Sequence, residues 1–442
     1  TFVIPSLISD LDVSSVVIDP SGEIYNQTAS GLQKMGANVK ILSPGDPLSC
    51  SYNFLKGISS IKDCSMIGES LLYPLRSEQS PIWHTAGASL ISACVRYLSV
   101  VSQNESTDYM KPNNLIDILS LPYESFERLI DALDNREASI LYTGFRRANK
   151  EAKGGIQLMA FESVKLFLED EIVKISNSHN FSFEDLRDKR TILYIKIPEM
   201  EIGHYAPFLK LFFYQLFQFL NTNAEGLPVN LFLEEFGNIG KIPYFEKAVT
   251  TLRKRNVAIS IILQDLAQVE QLYGEKGAST ILNGGIVNNI YFPGLSTKVC
   301  ESISDILGKY TEKSKSVSES SNAKTSTTDS NIARNLLNPD EIRRLKENEV
   351  IFVRGNKEPA KLNTIPSYKQ KKLKGFLNYS KKNKPEIKND DVYESTDFPI
   401  NRFLDEAKKM LEDKLKISDD LDSIQDGHVL RKGTLSQETS LK

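Results

Sequence analysis

The sequence is poor in the residues that build metal and redox sites. Its 442 residues include four cysteines and four histidines, and neither type shows the close spacing of a zinc site or a disulfide framework. The cysteines are Cys50, Cys64, Cys94 and Cys300, and the histidines are His84, His179, His204 and His428. This scatter argues against both kinds of scaffold, favours a reducing cytosol, and makes each histidine structural or surface-exposed rather than catalytic.

Long hydrophobic runs are also absent. No run of about 18 apolar residues occurs, so we expect nothing in this sequence to span a bilayer. The chain starts at Thr1 directly in the apolar run Phe2–Pro5, as in the middle of a domain. We therefore expect a fragment whose upstream part is missing, and the expectation about membranes covers the fragment only. The net charge of −3 does not decide nucleic-acid binding, because basic patches can be balanced elsewhere.

Short β-forming runs alternate with helical patterns in both halves of the chain, which is long enough for two or three domains. Such strand–helix–strand units imply parallel pairing with right-handed crossovers, so the expected fold class is α/β with a mainly parallel sheet. The predicted strands lie in residues 14–23, Asn38–Leu42, Thr191–Ile197, Val229–Leu233, Val257–Gln264, Asn289–Phe292 and Glu349–Val353.

One stretch organises the rest, namely residues 229–243, VNLFLEEFGNIGKIP. A short apolar strand that ends abruptly in two acids is a Walker B signature, because a buried parallel strand fixes the acids at the edge of the sheet where ligands bind. Glu234 is predicted to hold a magnesium-bound water, and Glu235 to polarise an attacking water as the general base. The alternative is an ordinary strand with a solvated acidic end.

Between about residues 84 and 181 the pattern is almost entirely helical, which predicts an all-α domain inserted into the α/β domain. A segment that connects two of its helices, residues 144–155, carries Arg146, Arg147, Lys150 and Lys153. These side chains are candidates for contacting DNA phosphates. A solvated charged loop is an equally good interpretation.

The last segments are polar. Residues 311–333, rich in serine, threonine and lysine, predict a mobile loop or an exposed hairpin. The charged tail, residues 366–442, is expected to be largely disordered, except that residues 398–417 have apolar positions at helical spacing. That helix is a candidate for docking a partner.

Several motifs occur together in one order, and together they resemble the type IV coupling proteins (the TraG/TraD-like family). The resemblance covers about residues 1–365 and rests on six segments and on the tryptophan at position 83. The segments are FVIPSLI (2–8), DPSGEIY (19–25), SPGDP (43–47), EEFGNIGKIP (234–243), ILQDLAQVEQLYGEKGASTILN (262–283) and EIRRLKENEVIFVRGNKEP (341–359).

The resemblance implies a RecA-like ATPase that feeds DNA into a conjugative type IV secretion system. Its nucleotide-binding domain would comprise residues 1–83 and 182–365, with the all-α domain between them. The Walker A loop, with its phosphate cradle, would lie immediately upstream of Phe2, and membrane helices further upstream would anchor this cytoplasmic portion to the inner membrane. The implied cofactors are ATP and Mg²⁺.

The resemblance also implies roles for particular residues. Gln264 would sense the γ-phosphate or its water, Asp19 and Glu23 would help bind the nucleotide, and Arg253 and Arg255 would reach a neighbouring subunit's nucleotide. The alternatives are a turn-forming polar residue at Gln264 and surface or DNA-facing charges at the two arginines. There are two departures from the family pattern. Glu234 stands where aspartate is usual, and Ser21 stands where lysine is usual.

The implied partners are single-stranded DNA, the relaxase and other relaxosome proteins, the secretion channel, and further copies of the chain in a ring, which the resemblance implies to be a hexamer. A second hypothesis is a nucleotide-binding receptor platform that docks secreted proteins without pumping them. The departures at Glu234 and Ser21 favour this hypothesis. A third is an exporter of effector proteins rather than DNA.

Overall fold

The computed structural model describes residues 2–72, 81–319, 325–355, 357–389 and 392–414. The chain divides into two compact units. The first, called the sheet unit here, comprises residues 1–43, 183–206 and 216–388, and the second, the helical unit, comprises residues 44–182, 207–215 and 389–442. The helical unit begins at Pro44, whereas the sequence predicts residue 84.

The helices, in chain order, are α1 (Val3–Ser9), α2 (Glu23–Lys34), α3 (Ile61–Leu72), α4 (Pro81–Glu105), α5 (Pro112–Leu119), α6 (Tyr123–Leu133), α7 (Arg136–Arg146), α8 (Lys150–Val164), α9 (Asp170–Ser176), α10 (Asp185–Asp188), α11 (Ile202–Thr222), α12 (Phe236–Ile239), α13 (Phe245–Thr251), α14 (Ala267–Ser279), α15 (Thr297–Leu307), α16 (Pro339–Arg343), α17 (Lys371–Lys382) and α18 (400–414). The strands are β1 (Ser14–Ile18), β2 (Asn38–Leu42), β3 (Ser178–His179), β4 (Thr191–Ile195), β5 (Val229–Leu233), β6 (Val257–Ile261), β7 (Asn288–Tyr291), β8 (Lys309–Glu319), β9 (Thr325–Asn335), β10 (Glu349–Arg354), β11 (Ala360–Asn363) and β12 (Tyr393–Glu394).

The core of the sheet unit is a five-stranded parallel sheet with the order β2-β4-β1-β5-β6. All five residues of β1 and of β4 are buried, as expected for inner strands whose two faces are both covered. The sequence signal for these strands is therefore a short run without apolar–polar alternation. The predicted α/β class with a mainly parallel sheet is confirmed.

A second sheet in the same unit is antiparallel, with the order β11-β10-β7. Strand β6 is at the edge of the first sheet and β7 is at the edge of the second. Residues of both edges line a groove of about 1070 Å³, and Phe2, Val3 and Ile4 at the start of α1 line it as well.

Helix α17 packs on α2 in the sheet unit. The segment that forms α17 is one for which the sequence predicts no regular structure. Gly31 makes this close approach feasible, because a Cβ atom there would lie 2.4 Å from the ring of Phe376. The Gly31 amide also donates to Ser380 Oγ at 2.9 Å, and Lys34 Nζ lies 4.2 Å from the ring centroid of Tyr379. This packing is not evident from the lysine-rich sequence of α17, because only one face of the helix is apolar.

The helical unit contains α3 to α9, and two small residues set its helix spacing. A Cβ on Gly68 would lie 2.3 Å from the carbonyl oxygen of Ala88, and a Cβ on Gly155 would lie 2.4 Å from the Trp83 ring. Helix α7 and the start of α8 occupy most of the segment that the sequence predicts as a connection, residues 144–155. Helix α8 ends at Val164.

Two further predicted elements are found in the described residues. Strands β8 and β9 pair as an antiparallel hairpin, one of the two predicted forms of residues 311–333. Helix α18 lies inside the predicted range 398–417, and residues 415–442 are outside the described part of the chain. Among the described residues, one stretch, Trp83–Glu105, is long and apolar enough to cross a membrane, and 72% of its most apolar window is buried, as in a core helix.

Candidate active site

The parallel register brings the ends of three neighbouring strands to one edge of the sheet. Ile18 of β1 is aligned with Leu233 of β5, and Leu233 is aligned with Ile261 of β6. The next residues along β1 and β5 are Asp19 and Glu234. Side chains that are far apart in sequence therefore meet where the strands end, as ligand sites do in open α/β sheets.

Glu235 occupies a strained turn between β5 and α12. Its φ and ψ angles are 51° and 38°, a left-handed conformation that costs a residue with a Cβ atom about 1 kcal/mol. Phe236 holds the turn from the other side, because its side chain is fully buried and its ring lies 4.6 Å from that of Phe245. The Phe236 amide donates to Ile262 O at 3.3 Å, which ties the end of β5 to the end of β6.

This turn directs the carboxylate of Glu235 at Gln264. Gln264 Nε2 lies 3.3 Å from Glu235 Oε1 and 3.2 Å from Oε2. Asn238 Nδ2 also donates to Glu235 Oε2 at 3.4 Å. Glu235 is partly buried, whereas Gln264 is exposed to solvent. A water molecule near this pair would meet one group that accepts its proton and one that orients it.

Glu234 is in a different electrostatic environment. Burial, together with the negative charges of Asp19, Glu235 and Glu23, raises the pKa of Glu234 to about 7. A carboxylate so crowded by other carboxylates is stabilised by a nearby cation. Carboxylate oxygens are also ligands that Mg²⁺ prefers.

Asp19 is fully buried and its oxygens are used by the following turn. Tyr25 N donates to Asp19 Oδ2 at 2.7 Å, and Ser21 Oγ lies 3.5 Å from Oδ1. The carboxylate therefore accepts a backbone N–H of the first turn of α2. Burial raises its pKa, and the Tyr25 and Ile24 amides and the charge of Lys196 oppose that shift. Asp19 thus contributes to the site through its charge and through the position of α2.

Glu23 and Ser21 are exposed and line the groove, which Glu234 and Gln264 also line. Ser21 Oγ accepts from the Glu23 amide at 3.2 Å, so the serine serves the turn. Glu23 Oε1 accepts from Gln27 Nε2 at 2.5 Å. The predicted cofactor residues Glu23 and Glu234 therefore face one groove.

Arg253 and Arg255 are not beside Glu235. Both are exposed and lie in the short 3₁₀ helix Leu252–Arg255, which precedes β6, whereas Gln264 follows it. The five residues of β6 place these arginines on the order of 16 Å along the strand from the acidic edge. Arg253 lines the far part of the groove. The buried Arg187 fixes this loop, because its Nη2 donates to the carbonyl of Arg255 at 2.8 Å.

The four basic candidates in the helical unit fall into two pairs. Arg146 forms ion pairs with Glu127 at 2.9 Å and with Asp131 at 2.5 Å, and Lys153 Nζ lies 4.0 Å from Glu127. Arg147 and Lys150 are exposed at the turn between α7 and α8. Two of the four charges are therefore already balanced by acids of α6, and two face solvent.

Several residues of the site are absent from the sequence prediction. Asn238 contacts Glu235, as described above. Gln268 Oε1 accepts from the Gln264 amide at 3.3 Å, and a Cβ on Gly237 would lie 2.7 Å from the Gln268 carboxamide. Lys196, at the end of β4, is the cation whose charge acts on Asp19. Only a spatial arrangement identifies these four, because each residue type is common in turns and at strand ends.

Within the described ranges, no group of three or more histidine, cysteine, aspartate or glutamate side chains is arranged to hold a metal ion. All four cysteines are free and buried. Mg²⁺ commonly keeps several waters and takes one or two carboxylates together with substrate phosphates. The arrangement around Glu234 fits that mode of binding.

The parallel sheet, with paired acids after an inner strand, has the arrangement of the RecA-like fold class. Residues 1–390 match the sequence model of the family described as "Type IV secretory system Conjugative DNA transfer", so the chain belongs to this family. The predicted family and the predicted RecA-like fold are confirmed.

Two curated relatives and two solved structures illustrate the similarity. The chain is 25% identical over 405 residues to Protein VirD4 of Agrobacterium fabrum, covering 84% of this chain and 57% of that protein. It is 27% identical over 275 residues to Protein VirD4 of Rhizobium radiobacter, covering 57% of this chain and 38% of that protein. The chain therefore spans little more than half the length of the first of these relatives.

Among solved structures, the bacterial conjugative coupling protein TrwBdeltaN70 in its unbound monoclinic form is similar, with a TM-score of 0.64 and 17% identity over 81% of this chain and 79% of that chain. The plasmid coupling protein TrwB in complex with ADP and Mg²⁺ gives a TM-score of 0.62 and 17% identity over 81% of this chain and 80% of that chain. At this identity the likeness establishes the fold.

Proposed function

We propose that the chain is the ATP-hydrolysing portion of a conjugative coupling protein, which recruits a relaxase–DNA complex and drives single-stranded DNA toward a type IV secretion channel. The observation that carries the proposal is the contact between Glu235 and Gln264 at the edge where β5 and β6 end. A general base paired with a polar residue that orients water is the arrangement that hydrolysis of a phosphoanhydride needs.

The two acids have separate roles in this proposal. Glu235 accepts the proton of the attacking water, and Gln264 orients that water through its amide. Glu234 takes part in holding Mg²⁺ through a bound water. When bound, Mg²⁺ neutralises charge on the phosphates of ATP. The crowding of Glu234 by Asp19, Glu235 and Glu23 supports this assignment, because a divalent cation relieves the repulsion among them.

The phosphates of ATP need a phosphate-binding loop, and the family resemblance assigns that role to a loop just before Phe2. A P-loop is a strand, a glycine-rich loop and a helix in succession. Helix α1 is at the right position to be that helix, because its first residues line the groove between the open edges of β6 and β7. We propose that the strand before the loop pairs along this groove, which would place ATP beside Glu234 and Glu235.

Arg253 and Arg255 are proposed to act on the nucleotide of a neighbouring copy in a ring, a homo-hexamer in our proposal. Their position at the opposite end of β6 from Glu235 supports action in trans, since neither arginine lies at the acidic edge of its own sheet. An arginine supplied in this way stabilises charge that develops on the transferred phosphoryl group. The loop that carries them is fixed by Arg187 through the Arg255 carbonyl.

The helical unit is proposed to face the cytoplasm and to receive the substrate, while an upstream segment anchors the protein in the inner membrane. Arg147 and Lys150 are the proposed phosphate contacts, because Arg146 and Lys153 are paired with acids. Replacing Arg147 and Lys150 by alanine should weaken single-stranded DNA binding and lower its salt slope by about 0.7 for each lost phosphate contact. Lys165→Ala on the same unit, an exposed lysine paired with Glu162, is the matched control.

A platform that binds nucleotide and protein substrates without pumping is the second candidate. Glu234, where the family most often has aspartate, and the turn-forming role of Ser21 favour it. The two candidates differ in one observable. The motor hydrolyses ATP faster when single-stranded DNA is present, and the platform does not.

The decisive test is DNA-stimulated ATP hydrolysis by the full-length protein beside its Glu235→Gln variant. We expect the variant to bind nucleotide normally and to lose hydrolysis by about 10²-fold or more, as a missing general base does. Glu270→Gln, an exposed acid on α14, is the control and should leave the rate unchanged. Unchanged turnover in Glu235→Gln removes Glu235 from this role, and a nucleotide-bound ring without hydrolysis supports the platform.

A further inference from the structure

A segment near the carboxyl end of the chain, residues 392–403, lies in a groove of the helical unit. We define it as the strap. The family match ends at residue 390, so the residues that form the groove lie inside the family region and the strap lies outside it. Two further features of the contact show what kind of ligand the groove accepts.

The first feature is recognition of main chain by a side chain. Asn114 is 1% exposed, and its Nδ2 donates to the carbonyl of Thr396 at 2.8 Å while its Oδ1 accepts from the amide of Phe398 at 3.0 Å. The amide of Thr396 also donates to the carbonyl of Asp108 at 2.7 Å. These bonds fix an extended backbone whatever its side chains are. A groove that binds an extended peptide needs such contacts.

The second feature is an adjacent pair of specific contacts. Lys111 Nζ forms an ion pair with Asp397 and donates to the carbonyl of Ser395 at 3.2 Å. Phe398 is 6% exposed, and its ring lies 5.9 Å from that of Tyr97 and 5.4 Å from that of Tyr109. The groove therefore selects an acidic residue followed directly by an aromatic one.

The charges of the groove also allow the strap to leave it. Lys111 is close enough to Asp117 for their charges to interact, so this buried cation keeps an acidic neighbour when Asp397 leaves. The carboxylate of Asp397 is 93% exposed, so it rejoins water readily. Breaking the ion pair therefore strands neither charge in the protein interior.

We propose that the helical unit carries a peptide-binding groove, that the strap occupies it in cis, and that a partner protein with an extended acid–aromatic segment displaces the strap. Asn114 and Lys111 recognise the segment, and the ring pocket of Tyr97 and Tyr109 selects it. The strap is then an internal competitor that keeps the groove closed until a partner of matching chemistry is present.

The test uses the whole chain with a weakened strap. Asp397→Lys combined with Phe398→Ala removes both specific contacts, and a fluorescent peptide of residues 392–403 is titrated into this variant and into the unaltered chain. The variant should bind the peptide about 10²-fold more tightly, because the tethered strap competes at a high effective concentration in the unaltered chain. A peptide that keeps only the Asp–Phe pair should compete with the labelled one, and a peptide with Lys–Ala at those positions should not.

Asn114→Ala added to the weakened chain should reduce peptide binding by at least tenfold, since a site without its main-chain contacts discriminates poorly. Circular dichroism shows whether each variant keeps its helices. A folded variant that does not bind the peptide overturns the proposal.

A second measurement covers a weakened chain that fails to fold. A specific protease site is inserted between Asp390 and Asp391 of the unaltered sequence, and the chain is cut. Exchange of the cut strap for the labelled peptide supports the proposal. A strap that stays bound and does not exchange is an integral part of the fold, which also overturns the proposal.

Discussion

Gln264 Nε2 donates to both carboxylate oxygens of Glu235, at 3.3 and 3.2 Å, although 29 residues separate the two in the chain. Two separate elements produce this contact. The left-handed turn at Glu235 aims the carboxylate, and the bond from the Phe236 amide to the Ile262 carbonyl brings the end of β6 alongside. The pair is therefore a unit, and its members should not act independently.

Replacing Gln264 tests this coupling. Gln264→Ala should lower ATP hydrolysis by the full-length protein by about 10- to 100-fold, with little change in nucleotide affinity, because it removes the group that orients the water. Combined with Glu235→Gln, it should add almost nothing to the loss from Glu235→Gln alone. Steady-state rates of the four proteins in the cycle measure the coupling. Fully multiplicative losses would show that the two residues act separately.

The left-handed backbone at Glu235 predicts that glycine at this position gives a more stable chain than alanine, although both replacements abolish activity. Glu235→Gly should raise the free energy of unfolding relative to Glu235→Ala by about 1 kcal/mol, because glycine adopts a φ of 51° without the steric cost of a Cβ atom. Urea denaturation of the two variants gives the difference. Both variants should lack hydrolysis, and equal stabilities would show that the turn is not strained.

Glu234 predicts how stability depends on pH. Its pKa is raised to about 7, so the folded chain holds this proton more tightly than the unfolded chain does. Its contribution to stability is therefore fully present below about pH 4.5, falls as the pH rises toward 7, and is lost above that. Glu234→Gln should be more stable than the unaltered chain by about 1–2 kcal/mol at pH 8, after allowance for partial solvent screening.

Thermal or urea denaturation at pH 4.5 and pH 8 checks this dependence. The difference between Glu234→Gln and the unaltered chain should almost vanish at the lower pH. Glu270→Gln, which changes an exposed acid on α14, should show no such trend. A difference that is the same at both pH values would mean that Glu234 does not titrate in this range.

The packing of α17 on α2 predicts opposite effects of the same substitution at two helical glycines. Gly31→Ala places a methyl group 2.4 Å from the Phe376 ring, so it should destabilise the chain by about 1–3 kcal/mol. Gly154→Ala in α8 meets nothing within 4 Å and should stabilise its helix by about 0.5–1 kcal/mol. Chemical denaturation of both variants is the measurement, and equal effects would place α17 away from α2.

The inner strands β1, β4 and β5 agree with the prediction because nearly all of their residues are buried on both faces. The signal of such a strand is a short β-forming run, and it is local. The positions of Glu234 and Glu235 after β5 follow from the same signal, since a residue that ends a parallel strand is at the ligand edge of its sheet. The proposed roles of Glu234, Glu235 and Gln264 stay predictions until they are tested by substitution.

The basic segment shows where local patterns fail. Arg146, Arg147, Lys150 and Lys153 look equivalent in the sequence, yet Arg146 and Lys153 pair with acids of α6 and the other two face solvent. The local pattern also fails for the charged segment that forms α17. Its lysines predict disorder, whereas its packing depends on Gly31, which is 345 residues distant from Phe376.

The amino-acid sequence by itself determined the α/β class, the strands of the parallel sheet, the family and the pair of acids that follows β5, because these depend on runs of neighbouring residues. Only the tertiary structure decided which charges are balanced, which turn aims Glu235 at Gln264, and which groove holds residues 392–403. Those features depend on contacts between residues far apart in the chain, and the free energy of such contacts is set by burial and distance that no local pattern records.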